Sequence, residues 1–241
     1  MIVLNELSNL VETYTLTAVI DTALCVGAGG SSGSLADKPI VRNAEGNLLI
    51  PGSQIKGRLR HECEKIARGL GWEVCESPNA GKMVIRRDNA PEKFKRSDYE
   101  VSGYNDTYHC LMSQIFGDPV LPSRIIIDDL ICTEEPDNLP EVIRPGVTMN
   151  RRRRTAEEKK LYFLETSPPH VSLKFQGQIH LLPNCPNYAK PLMLAGFKHI
   201  HALGGSKSAG LGWLSWEKLP EFEVTEEDWN FLAKGGNNAA N

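Results

Sequence analysis

"HVSLKFQGQIHLL", His170–Leu182, is the clearest strand in the chain. Val171, Leu173, Phe175, Ile179 and Leu181 fall on one face, which is the period-two pattern of a half-buried strand. The period then changes. "KPLMLAGFKHIHAL" (Lys190–Leu203) reads as a helix, with Pro191 allowed in its first turn because the amide it lacks has no helical partner there. "LGWLSWEKL" (Leu211–Leu219) reads as a closing strand. The second half of the chain is therefore strand, helix, strand.

The first half offers the same units. "TYTLTAVID" (Thr13–Asp21) alternates Tyr14, Leu16, Ala18 and Ile20 with mostly polar residues. After "LLIPG", Ser53 stands where an N-cap is expected, and Ile55, Leu59, Cys63, Ile66, Ala67 and Leu70 follow at helical spacing. "DTYHCLMSQIFG" predicts a short helix stopped by Gly117. "SRIIIDDLICT" (Ser123–Thr133) predicts one buried β-branched strand. The order is β (13–21), α (53–70), β (123–133), β (171–182), α (190–203), β (210–217). That is the βαββαβ order of an α+β, ferredoxin-like fold, with two helices on one face of a four-stranded antiparallel sheet. Residues 1–219 read as one domain with insertions at about 72–105 and 149–162. Residues 220–241 read as a partly disordered tail, "GGNNAAN" most of all.

Composition excludes some classes. The 241 residues are 41% hydrophobic and 24% charged, enough for an ordinary globular core. The N-terminal "MIVLNELSNLVETY" has no basic region followed by an apolar block, and no apolar run is long enough to span a bilayer. Six cysteines without a disulfide pattern suit a reducing cytoplasm. The formal charge of −3 gives the whole chain no polyanion signature, so any anion site must be local.

Five features could carry chemistry. "HALGGSKSAGLGW" (His201–Trp213) places Gly204, Gly205, Gly210 and Gly212 around Lys207 and Ser208. Exposed backbone N–H groups in such a loop can cradle phosphate oxygens, and the alternative is a long helix-to-strand connection. The spacing matches neither a Walker loop nor a dinucleotide fingerprint. In "IPGSQIKGRLRHECE", Ser53 opens a helix whose N-terminus attracts anions, with Lys56 and Arg60 one turn apart on one face. A solvated basic face is the plainer reading. "NRRRRT" sets Arg151, Arg152, Arg153 and Arg154 side by side, where they repel one another unless an anion or the flanking "AEEKK" neutralises them. Asp37, in the glycine- and serine-rich "GAGGSSGSLADKP" loop, is either a turn residue or one oxygen ligand to a divalent cation completed by phosphates. His61, Cys63, Cys75, His109 and Cys110 supply candidate ligands for structural Zn²⁺, although no tight C-x₂-C pair is present and Cys63 also fits a buried thiol.

Taken in order, the "DKPIVRN" loop, "IPGSQIKGRLR", "QIFGDP" and "GGSKSAGLGW" resemble the RAMP superfamily of CRISPR RNA-binding proteins, from about Leu16 to Glu217. The resemblance is strongest to the repeated backbone subunit of type III effector complexes. It implies an RNA-recognition-like core carrying a guide RNA (crRNA), a target single-stranded RNA, further RAMP copies and other effector subunits as partners. The arginine-rich excursion after Met149 falls where the family has its thumb, a hairpin that pushes between bases. Asp37 matches the family's loop aspartate, implying target cleavage by attack of a 2′-OH on the adjacent phosphate with Mg²⁺ or Mn²⁺. Ser53 and Lys56 match guide-backbone positions, and Gly204, Gly205, Lys207, Ser208, Gly210 and Gly212 match the glycine-rich loop. Many members carry a cysteine cluster before the "FG"; here "YHCLMSQIFG" keeps Cys110 and has Ser113 where another cysteine is often found. A non-cleaving guide-binding subunit and a guide-processing endoribonuclease, the latter using His199 or His201, are the alternatives within the superfamily. A metabolic enzyme on the same fold has no cofactor motif to support it.

Overall fold

The computed structural model describes residues 11–27 and 36–235. The first ten residues, most of the "GAGGSSGSLADKP" loop and the last six residues of the tail lie outside those. The elements are β1 (Glu12–Ile20), β2 (Leu49–Ile50), α1 (Gly52–Gly69), α2 (Ala80–Met83), β3 (Ile85–Arg86), β4 (Thr107–Tyr108), α3 (Leu111–Phe116), β5 (Ile125–Ile127), β6 (Leu130–Cys132), β7 (Val142–Asn150), β8 (Thr155–Thr166), β9 (Leu173–Leu181), α4 (Ala189–Lys198), β10 (Leu214–Lys218) and α5 (Glu226–Ala233).

The main sheet is antiparallel and runs β10-β1-β9-β6-β2, with β5 also paired to β9. The alternation in β1 and β9 brings Ala18 opposite Phe175 and Ile20 opposite Leu173, all fully buried. Their side chains meet Ile55, Leu59 and Cys63 of α1 and Leu192 and Phe197 of α4 in one core. Both helices thus cover one face of a mixed α+β sheet. The other face stays open.

The strand expected over 123–133 is two short strands. Ile127 pairs with Ile179 but Ile131 with Gln176, so four steps along one chain match three along the other. The extra residue is a bulge at Asp128–Asp129. It turns both carboxylates to use: Asp128 Oδ2 meets His180 Nε2 at 3.0 Å, and Asp129 Oδ1 accepts the Gly52 N–H at 2.8 Å.

That second bond corrects the expected cap of α1. Pro51 is the N-cap residue and makes no side-chain cap, while Ser53 lies inside the first turn. The orphan amide of Gly52 is satisfied from across the fold. Gly52 is required there, because a Cβ would lie 2.0 Å from the Ile127 carbonyl oxygen.

The excursion at 72–105 contributes Trp72, Phe94 and Tyr99 to the main core, held by short 3-10 turns and the β3–β4 pair. Residues 220–235 include α5, which starts with a capping box between Thr225 and Asp228. Phe231 stacks between Trp72 and Tyr188, at 5.2 and 4.8 Å between ring centroids, and the Trp72 indole donates to the Leu232 carbonyl. The part of the tail that is described is therefore docked. No helix among the described residues is long and apolar enough to cross a membrane.

Candidate functional site

The excursion after Met149 is a β-hairpin. β7 and β8 pair from Val142–Thr166 to Asn150–Thr155, and the turn between them is Arg151–Arg154. Asn150 builds that turn: its Oδ1 accepts the Arg152 and Arg153 N–H groups at 3.1 and 3.0 Å, and its carbonyl accepts that of Arg154 at 2.8 Å. Arg154 closes it in the left-handed region, φ 56°. All four arginines are exposed. The flanking acids do not neutralise them: Glu157 pairs with Lys160, and among the described residues none of the four guanidiniums has an ionic partner. Only the base of the ribbon, Leu164–Thr166, is buried, so the basic tip projects from the body.

Asp37 sits at that base. Its Oδ2 accepts the Phe163 N–H at 2.7 Å, and its own N–H donates to the Phe163 carbonyl at 3.0 Å. The next residues continue along β8: Lys38 bridges Leu164, and the Ile40 N–H donates to Glu165. Asp37 is exposed, and among the described residues Oδ1 has no hydrogen-bond partner. A carboxylate fixed by one oxygen and open at the other suits a cation or a hydroxyl donor.

The glycine-rich loop reaches the same place from the other side. Residues 23–26 run between it and β8. Leu24 exchanges hydrogen bonds with Ser167, the Gly205 N–H donates to the Cys25 carbonyl at 2.7 Å, and the Gly212 N–H to the Ala23 carbonyl at 2.9 Å. Ala23, Cys25, Leu164 and Leu211 form a small core of their own beneath the three segments. Gly204 and Gly212 therefore serve packing. With φ 86° and 69°, they sit where an added Cβ would lie 2.5 Å from Cys25 O and 1.9 Å from Leu203 O. Lys207, Ser208 and Gly210 form the exposed crest, a single 3-10 turn, with Lys207 Nζ 3.3 Å from the Gly204 carbonyl oxygen.

The α1 residues divide. Ser53 is exposed. Lys56 Nζ is turned inward to Ser123 Oγ (2.7 Å) and the Ile125 carbonyl (3.3 Å), and burial, with Arg60 alongside, holds its pKa below the usual lysine value. Arg60 donates to Glu64 and to the Gly117 carbonyl at 2.9 Å. Both cations anchor the turn after α3, the "FG" segment.

Of the candidate zinc ligands, Cys75 and Cys110 come together in the core. His61 is exposed; Cys63 donates to the Leu192 carbonyl between α1 and α4; Cys110 Sγ lies 3.5 Å from Ser113 Oγ, and the neighbouring Cys110 sulfur together with burial pushes the Cys75 thiol up. His109 has both ring nitrogens engaged, Nδ1 with Asp118 at 2.7 Å and Nε2 with Thr107 at 2.8 Å. Among the described residues no three His, Cys, Asp or Glu side chains are placed to hold a metal ion.

One surface was not singled out from sequence. The open sheet face carries a shallow groove of about 480 Å³ lined by Thr15, Ile131, Thr133, Gln176 and Gln178. At its side His180 lies between Thr13 Oγ1 (2.9 Å) and Asp128. The even positions of β9 gave the signal: Lys174, Gln176, Gln178 and His180 all point away from the core.

A family model described as the RAMP superfamily matches residues 17–215. No curated protein sequence matches. Among solved structures, one titled "Cryo-EM structure of the Type III-B Cmr-beta bound to cognate target RNA" contains a chain that superposes with a TM-score of 0.55 at 17% identity, over 88% of this chain and 60% of that one. This likeness concerns the fold, and the chain spans about 60% of that relative's length.

Proposed function

This chain belongs to the RAMP superfamily, and we propose that it is a guide-RNA-binding subunit of a type III CRISPR effector complex. The observation that carries this reading is the convergence of the glycine-rich loop, the Asp37 segment and the base of an arginine-tipped hairpin on one small core. Four unpaired guanidiniums in one exposed turn need a polyanion close by. A protein that must accept any guide holds backbone and shape and leaves sequence to base pairing. The strand order β10-β1-β9-β6 is fourth, first, third, second for a βαββαβ chain, which supports a ferredoxin-like, RNA-recognition-like core. Likeness to a chain from a type III-B structure bound to cognate target RNA supports target RNA as a partner. The test is purification of the full chain with its complex and sizing of the nucleic acid retained. A ladder of short RNAs of defined length is expected; a complex free of RNA refutes the proposal.

A second reading adds target cleavage at Asp37. It is favoured by one observation: the exposed carboxylate is fixed at the hairpin base by the Phe163 N–H, and Oδ1 has no partner among the described residues. Asp37 fits Mg²⁺ or Mn²⁺ as a single oxygen ligand, and the bound ion would supply charge neutralisation at an RNA phosphate. The chain's own part is positional. The hairpin presents the RNA, and Asp37 holds an acceptor where a 2′-OH can be oriented toward the adjacent phosphate. Asp37→Ala in the assembled complex should abolish cleavage opposite this subunit while guide binding persists. Continued cleavage would leave binding as the sole role.

A further inference from the structure

We propose that Trp213 is a nucleobase-stacking residue, taking one unpaired base of a single-stranded RNA on its indole face. This deepens the guide-binding reading and rests on it.

The four tryptophans differ in what holds them. Trp72 is buried and its indole donates to the Leu232 carbonyl; Trp216 packs on Phe197 and donates to that residue's carbonyl at 2.9 Å. Both serve the fold. Trp213 is 51% exposed, and among the described residues its indole N–H has no acceptor. Its backbone is nonetheless fixed on both sides. Its N–H donates to Thr22 Oγ1 at 3.0 Å, its carbonyl accepts the Asp21 N–H at 2.9 Å, and it bridges Ala202. The preceding Gly212 is the residue whose left-handed φ and contact with Leu203 lock the end of the glycine-rich loop. A large ring is thus held out to solvent on a rigid mount, at the exit of the loop that carries Lys207.

Register places the ring on the open face. Leu214 is buried opposite Ile20, and Ile20 opposite Leu173, so the residues one step outward, Trp213, Asp21 and Ser172, lie on the other side of the sheet. The neighbours are mostly polar, with half-buried Val19, opposite Ser215 and Lys174, the apolar exception. Ser172 Oγ donates to Asp21 Oδ1 at 3.2 Å, and Lys174 pairs with Glu217. The exposed apolar side chains of that face, Ile126 and Ile131, belong to β5 and β6, which are separated from β10 by β1 and β9. A protein partner would want a contiguous apolar patch with Trp213 at its centre. A lone aromatic ring among polar groups suits a base, whose π-face stacks while its edge stays hydrated. The Asp21 carboxylate beside the ring disfavours a phosphate there and can accept from an exocyclic amine, so the phosphates fall on the Lys207 side.

The probes are two oligomers of equal length, oligoadenylate and an abasic ribose-phosphate chain, each bound to the full-length protein and followed by fluorescence anisotropy. Trp213→Ala should weaken oligoadenylate binding by about 5- to 150-fold, the equivalent of about 1–3 kcal/mol per stacked base, and leave the abasic chain unchanged. Trp213→Phe, which keeps a ring, should retain most of the affinity. Trp229→Ala, at the other strongly exposed tryptophan, should change neither probe. Equal losses on both probes would mean that Trp213 only shapes the loop, and no loss on either would also overturn the proposal. So would a change confined to self-association in sedimentation. If the unmodified protein binds neither oligomer, the guide-binding reading itself fails, a result distinct from all of these.

Discussion

Replacing Arg151–Arg154 by glutamine should flatten the salt dependence of RNA binding by an amount the hairpin fixes in advance. The four guanidiniums occupy one turn, are exposed, and have no ionic partner among the described residues. Each phosphate neutralised on a single strand contributes about 0.7 to the slope of log K against log salt. Four contacts give about 2.8, which is about a 50-fold loss of affinity between 50 and 200 mM salt. The variant should lack that component, so its affinity should fall about 50-fold less over the same interval. Folding should be untouched, because the turn is built by Asn150 and main-chain groups and the contacts of the hairpin with the body are at its base, around Phe163–Ser167. The assay is anisotropy of a labelled single-stranded RNA at several salt concentrations, with thermal unfolding alongside. A slope unchanged within error, with unfolding also unchanged, would refute the assignment of the tip to phosphate.

Three further outcomes follow from particular contacts. Gly212→Ala should cost more than about 2 kcal/mol and lower Tm by about 4–8 °C, whereas Gly210→Ala, equally left-handed but with open space around it, should cost about 1 kcal/mol; equal shifts in calorimetry would contradict the packing argument. Lys56→Met should destabilise by about 1.5–3 kcal/mol through its lost bonds to Ser123 and Ile125 and leave the RNA salt slope unaltered, as urea unfolding and anisotropy would report. Burial pushes the Asp118 carboxyl up, but the bonds from His109 and from the Leu121 and Val120 N–H groups outweigh it and hold it below 3.8. A depressed folded-state value means stability that is complete above the unfolded pKa and lost as pH falls through the folded one. Asp118→Asn should therefore flatten the acid limb of the stability profile below about pH 4, measured by urea midpoints across pH.

Much of the fold was legible because its signals are local. Period-two runs at 13–21 and 171–182 and helical spacing at 53–70 and 190–203 were read from side-chain alternation alone, and the elements start and end near those bounds except that α4 stops at Lys198, short of the expected Leu203. The misreadings share a cause. Ser53 looked like a cap by composition, yet the cap comes from Asp129, seventy-six residues away, through a bulge that only pairing with β9 creates. The break of 123–133 into two strands has the same origin. Of the tail expected to be partly disordered over 220–241, the part described, through Gly235, is docked by stacking of Phe231 on Trp72 and Tyr188, which no local pattern announces.

The candidate site was legible as a set of segments and not as a geometry. The sequence by itself determined the charge of the arginine turn, the backbone freedom of residues 204–212 and the presence of a carboxylate at 37. These are properties of residue types, and they travel with the chain wherever it folds. Only the tertiary structure decided which of them stay exposed and which are used within the fold. It turned Lys56 and Arg60 inward to hold a turn, spent Gly204 and Gly212 on packing, brought Cys75 to Cys110, and joined Asp37 to the hairpin base through Phe163. The physical reason is that unpaired charge and open backbone are measured against neighbours, and neighbours distant in sequence exist only once the sheet has closed.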